Sequence, residues 1–165
     1  MTSPWRADFA AAAAALPRAL GFAGLGRFDV AEQAGTALAF RIAPERILVR
    51  LANRARWEET ASSFDLARLC VLDMSHSRSV VAISGGAAAD LLARLLAIDL
   101  DASVFGAGRF AQTGLSGIPV LLHRSAGEGA AADFELYVPS SFAAAVWDLL
   151  SEHARPFGYV VSEPA

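Results

Sequence analysis

VLDMSHSRSVVAISGGAAADLLARLLAIDL, Val71–Leu100, is the stretch on which the fold turns. It brings Asp73, Ser75 and His76 within four positions. Val80 to Ser84 then reads as a short strand, Gly85-Gly86 as a break, and the following run as a helix. Leu91, Leu92, Leu95 and Leu96 fall on one stripe of that helix, with Asp90 and Arg94 an i,i+4 pair on the wet side. A catalytic reading of the polar cluster fails on direction. In an extended chain Asp73 and Ser75 point one way and His76 the other. Triad groups meet at hydrogen-bond distance, usually from separate elements. Local hydrogen bonds from Asp73, Ser75 or Ser77 to turn amides fit better. A phosphate-cradle reading of Gly85-Gly86 also fails, because the third glycine of a dinucleotide fingerprint and the alternating parallel pattern are missing. What remains is a tight strand-to-helix turn that needs positive φ.

The same grammar extends outward. Ala37–Ile42 and Arg46–Leu51 read as strands around an Ala43-Pro44-Glu45 turn, with Ile47 and Val49 on one side of the second. WEETASSFDLARL follows, with Trp57, Ala61, Phe64 and Arg68 at helical spacing and Leu69 beside them; CVLDM, Cys70–Met74, then reads as a strand. Beyond the leucine helix, Phe110–Leu115, Val120–Arg124 and Phe134–Val138 are strand candidates, joined by Gly114 and Gly117 and by the loop Gly127–Ala131. The last helix begins after Pro139, with Ser140 or Ser141 as N-cap and Phe142, Val146, Leu149 and Leu150 inward; FGYVV, Phe157–Val161, closes as a strand. RILVRL–helix–CVLDM and FELYV–helix–FGYVV thus share one plan. The expected fold is α+β: antiparallel sheet, helices on one face, repeated strand-helix-strand units and a split βαβ-like second half. It is expected as one domain, 1–165, with a loose arm at 1–35, a first unit at 36–75 and a larger second unit at 76–165.

Composition narrows the chemistry. The net charge is -3, with no block of like charges, so neither nucleic acid nor an acidic membrane is an expected partner. All 14 basic residues are arginine, which removes Schiff-base and Walker-lysine chemistry. The single cysteine, Cys70, allows no internal disulfide and suits a reducing, cytoplasmic setting. The alanine-rich start follows Asp8 and is broken by Pro17, so it reads as a helical arm and not a secretory signal. No run approaches the roughly 20 apolar residues of a membrane span. Charged residues are only 19% of the chain, against roughly 25% in an average domain. Two readings of that stay open on composition alone: abundant alanine, or surface covered by other subunits.

His76, His123 and His153 are far apart, no two at i,i+4, and read as surface or capping residues. Asp99 and Asp101 flank Leu100 at a helix end without forming an acid/base pair. No catalytic, cofactor-binding or metal-binding residue is assigned. Arg109 and Gln112, near the start of an apolar strand, form either a solvated strand end or a contact for a partner or acidic ligand. With His76 and Arg78 they are the candidate partner contacts.

The combination of DMSHSRSVV, SG with a leucine helix, GRFAQT, PVLLHR and ELYVPSSF resembles the gamma subunit of heterotetrameric sarcosine oxidase, from about Ile42 to about Tyr159. The strand-glycine-helix segment is also similar to the aminomethyltransferase family of the glycine cleavage system. His76 is closer to that family's pattern, and Gly86 stands where proline is usual. The resemblance implies a non-catalytic structural subunit, not an enzyme alone, in a complex that demethylates sarcosine oxidatively to glycine and peroxide. The one-carbon unit passes to tetrahydrofolate. FAD, FMN, NAD, tetrahydrofolate and zinc would lie on the alpha, beta and delta subunits. Whether the isolated chain forms a homo-oligomer stays open on the sequence. The alternative is a stand-alone folate-binding or aminomethyltransferase-like one-carbon protein.

Overall fold

A computed structural model describes residues 20–24, 27–51, 53–61, 70–125 and 134–162, with the helical positions 11 and 15. The chain divides into two compact units, Met1–Asp73 and Met74–Ala165.

The first unit holds a three-stranded antiparallel sheet: β1 (Glu32–Ala34), β2 (Ala37–Ala43) and β3 (Arg46–Arg50), in that order. β2 and β3 match the expected strands; β1 was not foreseen. Its Glu-Gln-Ala sequence has no β-branched residue and is held by register alone, Gln33 facing Leu38. Leu20, Phe22, Ala37 and Ala39 form the unit's core, and Ile47 and Val49 pack on it together, as their alternation requires. Arg41 stacks over Phe28 at 4.4 Å and donates to the Pro44 carbonyl, bracing the β2–β3 turn. Helix α1 spans Arg54–Ala61; the expected helical positions Phe64, Arg68 and Leu69 lie outside the described residues.

The second unit holds a four-stranded antiparallel sheet of β4 (Arg78–Ile83), β5 (Phe110–Leu115), β6 (Ile118–Arg124) and β7 (Phe134–Pro139), in the order β4-β7-β6-β5. This is the α+β class the sequence implies. Within it, two strands separate β4 from β5, where a simple split βαβ unit has one. Helices α2 (Ala88–Ala93) and α3 (Ala143–Ala154) cover one face. Their Leu92, Val146 and Leu150 meet Val120, Leu122, Phe134, Leu136 and Val138 in one core. Gly85 sits at φ +113°, the positive φ that the strand-to-helix turn demands, and Ala88 N–H closes the turn onto its carbonyl. The β5–β6 hairpin turns on Ser116 and Gly117, both at positive φ, which matches the right-handed strand twist.

Four expectations are corrected. Cys70–Met74 and Phe157–Val161 are not strands. Val71, Leu72, Met74, Tyr159, Val160 and Val161 are exposed, since β-prone side chains make no strand without a paired neighbour. Phe142 is exposed, not inward. Neither Ser140 nor Ser141 caps α3: a 3-10 turn, Ser140–Phe142, precedes it, and Phe142 occupies the cap position without a side-chain bond. The Ser140 hydroxyl instead donates to the His76 carbonyl at 2.9 Å.

Candidate functional site

The four contact candidates do not gather at one point. His76 is exposed in the turn before β4; its carbonyl, not its ring, is engaged, by Ser140. The neighbouring polar cluster does form local bonds, with the Ser77 hydroxyl donating to Met74 at 2.6 Å. Asp73 instead lies 3.6 Å from Arg54. Arg109 belongs to the loop closure at the start of β5, where its carbonyl accepts from Arg124 N–H at 2.8 Å.

Arg78 and Gln112 are brought to one groove. Register puts Arg78 opposite Pro139, Tyr137 opposite Leu121, and Leu121 opposite Gln112, all on the sheet face away from α2 and α3. The groove is open, about 280 Å³, and is lined by Arg78, Gln112, Thr113, Pro119, Leu121 and Pro139, with Val120 beneath.

The same face carries a cluster that sequence reasoning missed. His123 and Glu135 are register partners on β6 and β7, with Nδ1 3.1 Å from Oε2. The Tyr137 hydroxyl donates to the same carboxylate oxygen at 2.9 Å. His123 is 2% exposed, so it is a buried residue and not the surface or capping group expected. The only advance signal was alternation: Glu135 and Tyr137 share a face of FELYV, but their histidine is a strand away. The arrangement holds one carboxylate oxygen between an imidazole and a phenol. His153 bonds the Leu149 carbonyl within α3. Among the described residues, no three His, Cys, Asp or Glu gather closely enough to hold a metal ion, and no helix is long and apolar enough to cross a membrane.

A profile of the GCVT N-terminal domain matches residues 37–162, well over half of the chain. The chain belongs to the GCVT N-terminal domain family. An aminomethyltransferase of Exiguobacterium sibiricum is 32% identical over 106 residues, 64% of this chain but 29% of the relative. The chain therefore spans under a third of that enzyme's length. A solved structure of heterotetrameric sarcosine oxidase from Corynebacterium sp. U-96, in complex with pyrrole 2-carboxylate, contains a similar chain. The two superpose with a TM-score of 0.76 and 26% identity over 98% of this chain and 78% of that one.

Proposed function

We propose that this chain is a gamma-type subunit of a heterotetrameric sarcosine oxidase, contributing shape and contact surface to the complex. The observation that carries the reading is the extent of the superposition, 98% of this chain on a chain of such an enzyme. In this reading the complex oxidises the N-methyl group of sarcosine and passes the one-carbon unit to tetrahydrofolate. FAD, FMN, NAD, the folate and zinc belong to the alpha, beta and delta partners. The low charge content and the exposed apolar segments at Val71–Met74 and Tyr159–Val161 agree with a surface that other subunits cover. The setting is cytoplasmic.

The test is co-expression with the flavin-bearing subunits. A stable complex that turns over sarcosine, against a purified chain that turns over none, is the expected result. Failure of the chain to co-purify with them overturns it. The aminomethyltransferase similarity supports a second reading, a free-standing folate protein. Titrating the purified chain with tetrahydrofolate separates the two: a Kd of about 1 μM or tighter, roughly -8 kcal/mol, favours the second.

A further inference from the structure

The second sheet is closed at one edge and open at the other. At the β5 edge, Phe110 and Leu115 are buried, and Leu96 bridges to Leu115 from outside the sheet. At the β4 edge, Val81 and Ile83 point into the same core but are only partly buried. The residues they face on β7, Leu136 and Phe134, are fully buried. Beside them Val80 is 44% exposed, and Ala82 is exposed as well.

The main chain of β4 is open on the same side. Ser140 N–H donates to the Ser77 carbonyl, one step before Arg78 faces Pro139. Alternation then turns the amides and carbonyls of Ser79, Val81 and Ile83 toward β7, and those of Arg78, Val80 and Ala82 outward. Pro139, which has no N–H to give, falls opposite an outward residue, as that alternation requires. Among the described residues, no strand pairs with the outward groups of Val80 and Ala82. The devices that usually blunt such an edge are missing, since Ser79–Ile83 carries no charge, no proline and no bulge.

Outward groups at every second residue fit an extended chain. This segment is complementary to itself. Outward residues must meet outward residues, so two antiparallel copies pair about a Val80 or a Val81. Centred on Val81, all of Arg78–Ser84 is paired: Val81 meets Val81, Val80 meets Ala82, Ser79 meets Ile83 and Arg78 meets Ser84. The open flanks of the two cores then cover each other, and no like charges face. Centred on Val80, Ile83 slides out to Ser77 and its flank stays open. We propose that β4 is a dimerisation edge, on which a second copy of this chain lays its own β4 antiparallel about a twofold axis at Val81. The proposal does not rest on the multi-subunit reading, and its failure leaves that reading standing.

The test uses the full chain with Leu72→Ser and Val160→Ser throughout, so that those exposed side chains do not contribute. Sedimentation equilibrium of this parent is expected to show monomer and dimer in exchange. Val80→Pro removes one outward donor from each copy and nothing from the β4–β7 ladder. Losing two such hydrogen bonds should raise the dimer Kd about tenfold or more. Val80→Thr keeps the donor and the strand preference, and its Kd should stay within about twofold of the parent. With Cys70→Ser added, Val81→Cys should give a disulfide-linked dimer on mild oxidation, because facing residues of a non-hydrogen-bonded pair lie about 4.5 Å apart at Cα. Ala82→Cys should link far more slowly, because it faces Val80 and not itself. A parent that stays monomeric overturns the proposal, and so does a folded Val80→Pro chain that dimerises as the parent does. If Val80→Pro melts early, the cross-link decides: linkage no faster in Val81→Cys than in Ala82→Cys overturns it. A monomeric parent whose binding to the flavin-bearing subunits falls in Val80→Pro but not in Val80→Thr overturns the dimer and gives the edge to those subunits.

Discussion

Arg124 ties three parts of the second unit together. Its Nη1 donates to the Phe105 carbonyl at 2.7 Å and to that of Leu100 at 3.4 Å, and its guanidinium lies 5.2 Å from the Phe134 ring centre. One side chain thus fastens the Leu100–Arg109 loop to β6. Arg124→Ala leaves a carbonyl without its charged donor and should cost about 2 kcal/mol in chemical denaturation. Arg124→Lys should recover only part, because an ammonium lacks the planar fork and stacks poorly. Ser116 presents the opposite case, a residue whose backbone works against it. At φ +49° it occupies a region that favours Gly and Asn. Ser116→Asn should raise stability by about 0.5 kcal/mol, measured by the same method, whereas Gly117→Ala should lower it by about 1 kcal/mol.

The turn before β5 carries the clearest pH dependence. Asp101 accepts from both the hydroxyl and the amide of Ser103, and these bonds hold its carboxyl below the usual aspartate value; slight desolvation opposes them and Arg124 assists. The folded form therefore binds its proton less readily than the unfolded form. The contribution is fully present above the ordinary aspartate pKa and is lost as pH falls through the lowered one. Asp101→Asn should melt below wild type at about pH 7, with the gap narrowing toward about pH 3. Legibility in the sequence followed the same local logic. Strands β2 to β7 could be read because each is a short alternating or apolar run bounded by Gly or Pro, and Gly85 announced its own turn. β1 could not, since Glu32–Ala34 gains its state from β2. Cys70–Met74 and Phe157–Val161 misled for the mirror reason: the right side chains without a neighbour. Arg78 and Gln112 could each be picked out, but their shared groove depends on strand order, and His123 with Glu135 on register. Both are facts about distant pairing that no local pattern contains.

At the scale of the whole molecule, the apolar surface is uneven. Leu72 is 71% and Val160 93% exposed, on segments with no strand partner among the described residues. Unpaired apolar stretches of this kind invite contact between copies. The isolated chain should therefore self-associate in light scattering. Leu72→Ser with Val160→Ser should reduce that association without lowering the melting temperature, since neither side chain contributes to a core. The order β4-β7-β6-β5 has a consequence of another kind, for biosynthesis. β5, β6 and β7 can zip together as each leaves the ribosome, but Val81 in β4 must await Leu136, about 55 residues later. At translation speeds of about 5–20 residues per second, RSVVAI emerges as a sticky ribbon several seconds before its mate exists. A chaperone that captures nascent chains would find its handle there.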